Sequence, residues 1–135
     1  MENEFPYHTS FIVRIGDINY GGHVGNDKLL LVFHDARLRY LKSLGYSEMD
    51  IGNGAGLIMI EAHIFFKGEI FLGDELLVGV RIGDRGKIKL SFEFLVQRES
   101  DGKVVATAST LMAAFDYDQR RVCKIPEEFL KAVTR

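Results

Sequence analysis

The sequence is poor in cysteine and contains no long apolar run. Cys123 is the only cysteine in 135 residues, which excludes an internal disulfide and a metal site built from several cysteines. Apolar runs such as 29–33 are far shorter than the roughly 20 residues that a membrane-spanning helix needs. The N-terminal segment is acidic and lacks the apolar stretch of a signal peptide. We therefore expect a cytoplasmic protein with a reduced thiol and no membrane partner.

The sequence also has no excess of charge of one sign. Seventeen Lys and Arg residues face nineteen Asp and Glu residues, so no basic surplus indicates a nucleic-acid partner. The hydrophobic content of 47% is typical of a folded domain. The length corresponds to one domain, 1–135, because domains commonly hold about 100–200 residues. An enzyme of this size has to build its site on one small scaffold or share it with a second copy.

Glycine and apolar periodicity divide the chain into segments. Glycines cluster at 16–25 and 52–56, where they indicate turns. Between the clusters, apolar residues at helical spacing predict a long helix, with Asn26 as its N-cap and Gly45 at its C-terminal end. The predicted elements are a strand over 7–15, the helix over 26–44, strands over 57–66, 75–82, 88–97 and 104–115, and a short helix over 127–133.

This order of elements predicts the fold class α+β, with a five-stranded antiparallel sheet. Apolar residues occupy a broad surface of the long helix, because Leu31 and Leu38 lie opposite its main apolar stripe. We therefore expect the sheet to wrap around one long central helix.

The strand predicted over 57–66 has two different faces. Strict alternation assigns Ile60 and Ala62 to an apolar face, and it assigns Glu61 and His63 to the other. We expect the face with Glu61 to point away from the helix. Glu61 is then a candidate for a subunit interface or for substrate binding.

The densest group of polar side chains lies in the loop that precedes the long helix. Asp17, Asn19, His23 and Asn26 occur within ten residues, directly before and at the predicted helix start. A helix N-terminus presents free backbone N–H groups and positive dipole density, which suit a developing oxyanion with a base nearby. The same residue types are also common in any strand-to-helix turn. The spacing alone leaves both interpretations open.

Two motifs resemble a known family. The stretch DINYGGHVGN, followed by FHDAR, resembles the start of hotdog-fold thioesterases of the 4-hydroxybenzoyl-CoA thioesterase type. That family has Asp-x-Asp, a small loop and His-Val-x-Asn entering a helix that carries Glu-Ala-Arg. Downstream, FLGDEL at 71–76 is similar to the family's Gly-Asp-x-Leu before its third strand. The resemblance covers 7–118 and agrees with the predicted order of elements.

The resemblance implies hydrolysis of an acyl thioester, usually an acyl-CoA, without a metal or organic cofactor. It implies a homodimer with joined sheets, often paired again into a tetramer, and an active site at the dimer interface. In the family the helix N-terminus polarises the thioester carbonyl, and a carboxylate acts as nucleophile or as general base on water.

The sequence departs from the family at the catalytic position. Asn19 stands where the family usually has the second Asp of Asp-x-Asp, and an amide cannot act as a general base. Asp35 replaces a family Glu and keeps its charge, while Gly25 replaces a frequent Asn.

We therefore predict an altered arrangement of the same site. Asp17 and His23, with Asn19, position and activate a water, since an unperturbed histidine has a pKa of about 6.5. Substrate-binding candidates are the helix start and one strand residue, namely Val24, Gly25, Asn26 and Glu61. The residues at the helix start would donate backbone N–H groups to the thioester oxygen.

Other functions stay open on the sequence. A non-catalytic acyl-thioester-binding hotdog protein is the main alternative, because of Asn19. A hydratase or dehydratase is a further alternative, although its local His motif is missing. No histidine shows metal-ligand spacing, so we expect no metal site. Four cations could contact CoA phosphates or form a solvated hairpin tip: Arg81, Arg85, Lys87 and Lys89. The acyl group, and its presentation by CoA or by a carrier protein, are not specified.

Overall fold

The computed structural model describes residues 4–18 and 24–133, apart from the side chain of Asn26. The order of elements agrees with the prediction, with one additional two-residue strand. The elements are β1 (Tyr7–Ile12), α1 (Asn26–Ser43), β2 (Ala55–Phe66), β3 (Glu75–Arg85), β4 (Lys89–Arg98), β5 (Val104–Asp116), β6 (Arg121–Val122) and α2 (Glu127–Val133). The first strand ends at Ile12 because the chain then enters a short 3-10 turn, Ile15–Asp17.

The strands form one antiparallel sheet, as predicted. Its order is β1-β3-β4-β5-β2, and β6 pairs with the end of β5. Among the described strands β2 pairs only with β5, so it forms an edge of the sheet. Two residues of β2, Leu57 and Met59, line a cavity of the candidate site.

One face of α1 packs against the sheet through aromatic side chains. The ring of Phe33 lies 5.0 Å from that of Phe94, and the ring of Tyr40 lies 6.2 Å from that of Phe92. Aromatic pairs at such separations stabilise a core beyond their buried area. These contacts fix the direction of α1 across the sheet and hence the position of its N-terminus.

The expectation that the sheet encloses the helix is not met within one chain. Leu31 is 55% exposed and Leu38 is 41% exposed, although other apolar residues of α1 are fully buried. The physical reason is geometric, because a single sheet layer covers only one side of a helix. The described part of the chain therefore leaves an apolar face of α1 uncovered.

The two ends of α1 differ in their caps. Gly25 is the N-cap and Asn26 is the first helical residue, so the predicted cap at Asn26 is wrong by one position. At the other end Gly45 has φ +86°, and its N–H donates to Lys42 while that of Tyr46 donates to Leu41. This is a Schellman motif, and it confirms the predicted glycine end.

A β-bulge interrupts the alternation of β2. Met59 pairs with Met112 on the side of α1, but the register shifts before Glu61, which pairs with Leu111. The extra residue moves Ala62 to the helix side and leaves Ile60 at the bulge, so the shared apolar face predicted for these two is wrong. Glu61 lies on the face away from α1, as expected.

Candidate active site

The start of α1 lies beside the strand-to-helix loop. An antiparallel bridge joins Ile18 to Val24 and holds the two ends of the loop together. The N–H of Val24 donates to the carbonyl of Ile70 at 2.9 Å, so this amide already has a partner. The N-cap residue Gly25 has no side chain that could cap the helix, and its carbonyl accepts hydrogen bonds from the N–H groups of Lys28 and Leu29. The backbone N–H groups of Gly25, Asn26 and Asp27 are thus the candidate donors at this site.

Asp17 lies one residue before the bridge, at the end of the 3-10 turn. Its Oδ2 accepts a hydrogen bond from the backbone N–H of Arg14 at 2.8 Å, which is the turn-capping role that its residue type allows. The half-buried Asp17 also lines a cavity of about 430 Å³. On the α1 side that cavity is lined by Asp35 and Arg39, which form an ion pair of 3.0 Å. The carboxylate is therefore fixed by its turn and still adjoins a cavity.

The other two residues predicted to be catalytic lie outside the described residues. These are Asn19 and His23, and their roles stay predictions. The bridge between Ile18 and Val24 shows that the chain segments on either side of them meet. Asp17 and Gly25 each directly adjoin this bridge, so the structure brings the backbone at these two positions together.

A second cavity lies between α1 and β2 and has a polar centre that the sequence analysis missed. Its volume is about 290 Å³. The carboxylate of Glu48 accepts two hydrogen bonds. Its Oε1 lies 2.6 Å from Nε2 of His34, and its Oε2 lies 2.9 Å from Nε of Arg37. Arg37 is only 3% exposed, and its guanidinium lies 6.0 Å from the ring centre of Phe92. The buried cation thus has a carboxylate partner.

The turn that carries Glu48 is held tightly against β2. The N–H of Leu57 donates to the carbonyl of Glu48 at 2.7 Å, and the hydroxyl of Tyr117 donates to the carbonyl of Leu57 at 3.0 Å. A Cβ at Gly56 would lie 2.6 Å from the Tyr117 ring and 2.7 Å from the Glu48 carbonyl. Glycine is therefore required here for close approach, and the approach positions the Glu48 side chain.

The structure separates Glu61 from these two cavities within one chain. Glu61 lies across the sheet from α1, where its Oε1 is 3.1 Å from Nε2 of His63. Both side chains are more than half exposed. This pair repeats the chemistry of His34 and Glu48 on an open surface.

The remaining candidates outside the loop have other surroundings. Arg81 does not belong to a free hairpin tip, because it pairs with Glu93 at 2.7 Å and lies 4.4 Å over the ring of Phe5. Arg85 and Lys87 line an open groove beside α2. Burial and the charge of Asp116 raise the pKa of the Cys123 thiol, so it is protonated at neutral pH.

The described residues offer neither a cluster of metal ligands nor a helix that could cross a membrane. These residues contain no group of three or more His, Cys, Asp or Glu side chains arranged to hold a metal ion. None of their helices combines the length and apolar character that crossing a membrane requires.

The chain belongs to the Thioesterase-like superfamily, whose sequence profile matches residues 13–133. A 1,4-dihydroxy-2-naphthoyl-CoA thioesterase from Synechocystis has a similar structure, with a TM-score of 0.85, 21% identity and 94% coverage of both chains. A Staphylococcus aureus protein solved in complex with CoA has a TM-score of 0.84 at 24% identity, covering 94% of this chain and 80% of that one. These likenesses confirm the predicted hotdog fold.

A curated relative matches at the level of sequence. The L-carnitine dehydrogenase/betainyl-CoA thioesterase of Rhizobium meliloti is 25% identical over 113 residues. The match covers 84% of this chain and 23% of the relative, so the chain spans about a quarter of that protein's length.

Removal of the Glu48 carboxylate should destabilise the fold. Glu48→Ala leaves the buried guanidinium of Arg37 without its carboxylate, and loss of one partner of a buried pair costs about 3 kcal/mol. Chemical denaturation measures the free energy of unfolding. Asp35→Ala is the matched control, because it breaks the exposed pair with Arg39 and should cost only about 0.5 kcal/mol. Equal losses in both variants would contradict a structural role for the buried pair.

Proposed function

We propose that this protein hydrolyses acyl-CoA thioesters to a free acid and CoA. The observation that carries the proposal is the bridge between Ile18 and Val24, which brings the backbone next to Asp17 against the start of α1 at Gly25. Membership of the Thioesterase-like superfamily supports it. The relatives named above as CoA thioesterases, and the similar structure solved with CoA, support the same substrate class.

The proposed reaction uses the two sides of this site for different tasks. The thioester carbonyl accepts hydrogen bonds from the amides of Gly25 and Asn26, where the helix dipole stabilises the developing oxyanion. Asp17, with His23, accepts a proton from a water that Asn19 orients by hydrogen bonds. The water oxygen bonds to the carbonyl carbon, and the carbon–sulfur bond then breaks. The proton passes to the departing thiolate, which gives the free acid and the CoA thiol.

A second copy of the chain is proposed to complete the site. The edge strand β2 exposes apolar side chains at the bulge and at its end, and α1 exposes Leu31 and Leu38. An unpaired, apolar edge strand is a ready partner for another strand. Pairing of two β2 edges would join the sheets, giving a homodimer or a dimer of dimers.

The oligomer is tested by sedimentation at micromolar concentration. We expect at least a dimer, and Ile60→Lys at the exposed bulge should shift it towards monomer because a charge on the edge opposes strand pairing. Leu72→Lys, at an exposed apolar residue outside β2, is the control and should leave the assembly unchanged. A wild-type chain that is strictly monomeric at this concentration would contradict the proposal.

The base is tested by thiol release from a panel of acyl-CoAs and acyl-carrier thioesters. Asp17→Asn and His23→Ala should each lower turnover about a hundredfold, which is the usual size of general-base effects. Asp84→Asn removes an exposed carboxylate on β3 and should have no effect. Asn19→Asp, which restores the family residue, should raise activity.

The opposite outcomes identify which part of the proposal fails. Near-parental turnover in both Asp17→Asn and His23→Ala would remove these residues from the mechanism. No hydrolysis by the wild type, combined with an increase in melting temperature on adding acyl-CoA, would favour a protein that binds thioesters without cleaving them.

A further inference from the structure

We propose that the cavity between α1 and β2 is the acyl subsite, in which His34 hydrogen-bonds a polar group carried on the acyl chain. The inference rests on the proposed function, because it takes the start of α1 as the place of the thioester carbonyl. It makes His34 a specificity-determining residue and Glu48 the residue that positions it.

The distance along α1 supports this placement. A helix rises 1.5 Å per residue, so Leu30 lies about 6 Å and His34 about 12 Å from Asn26 along the axis. Long side chains in a helix also lean towards its N-terminus, which shortens both distances. An acyl chain that starts at the carbonyl site would therefore pass Leu30 and Leu31 before it reaches His34. All three line the same cavity of about 290 Å³.

The lining of this cavity is mostly apolar. Leu57, Met59 and Met112 form the side opposite α1, and Leu30 and Leu31 extend the apolar surface along the helix. Such a lining suits methylene groups, and a cavity of this kind fixes its ligand through a small number of placed polar groups.

His34 is the polar side chain that this cavity presents. Arg37 is buried, and both Glu48 oxygens already accept hydrogen bonds. The contact of 2.6 Å with Glu48 requires the hydrogen on Nε2, so Nδ1 is the remaining ring nitrogen. The His34 side chain is 46% exposed, and none of the described residues contacts Nδ1 by a hydrogen bond. A ligand in the cavity can therefore reach it.

The chemistry of Nδ1 indicates the substrate class. In the neutral ring this nitrogen accepts a hydrogen bond, and in the protonated ring it donates one. A hydroxyl group can do either, so it pairs with His34 in both states. The subsite therefore fits an acyl group that is aliphatic near the thioester and carries a hydroxyl further along.

The test compares matched acyl-CoAs that differ by one hydroxyl. The substrates are plain and ω-hydroxy acyl-CoAs from butanoyl to decanoyl, and kcat/KM is measured for the wild type, His34→Leu and His63→Leu. His63 is the matched control, because it pairs with a glutamate on the open face of the sheet. Both histidines are largely exposed, so neither change should prevent folding, which circular dichroism verifies.

At one chain length the wild type should have a kcat/KM about tenfold higher for the hydroxylated substrate than for the plain one. This ratio corresponds to the net free energy of one hydrogen bond. His34→Leu should abolish this preference by lowering kcat/KM for the hydroxylated substrate alone, and His63→Leu should retain it. Glu48→Gln should weaken the preference, since the amide no longer fixes the ring with a charged acceptor. An equal loss on both substrates in His34→Leu, or no preference in the wild type, would overturn the inference.

A binding measurement separates this inference from the proposed function. If no thioester is cleaved, the proposed hydrolysis fails, and calorimetry with the same CoA esters still tests the subsite. Tighter binding of the hydroxylated member, lost in His34→Leu and kept in His63→Leu, would support the subsite. Equal affinities for both members would overturn it.

Discussion

The packing of one face of α1 on the sheet determines where everything else in the site lies. The contacts of Phe33 with Phe94 and of Tyr40 with Phe92 fix the helix in direction and register. Because the helix is fixed, its first-turn amides are held in place before a substrate binds, and preorganised donors stabilise an oxyanion without reorganising. The same packing leaves a gap between α1 and the edge strand β2, and there the cavity with His34 forms. These packing contacts thus set both parts of the proposed site.

Most of the fold could be predicted because local sequence patterns indicate its strands and helices. The strand predicted over 104–115 is observed as Val104–Asp116, and the short terminal helix has the predicted bounds. The bulge in β2 could not be predicted, because residues 57–60 are apolar on both faces and alternation gives no sign of a shift there. The exposed side of α1 was misjudged for a related reason. Apolar residues around a helix show that it is covered, but they do not show that its own chain covers it.

The candidate site likewise has a part that could be predicted from the sequence and a part that could not. Asp17 and the start of α1 are close in sequence, so a single sequence motif could identify both as parts of one site. The network of Glu48 with His34 and Arg37 depends on the reversal of the chain at Gly45, which spacing alone does not encode. Arg37 was the available signal, since a cation within the apolar stripe of a helix needs a buried partner. Nothing in the sequence pattern identified Glu48 as that partner.

A structure with a non-hydrolysable CoA thioester analogue would test the central claim most directly. We expect the thioester oxygen to accept hydrogen bonds from the amides of Gly25 and Asn26, with the Asp17 carboxylate on the side from which water attacks. The acyl chain should then lie over Leu30 and Leu31, towards His34. A thioester carbonyl bound away from the start of α1, or one with no carboxylate or imidazole near its carbon, would contradict the account.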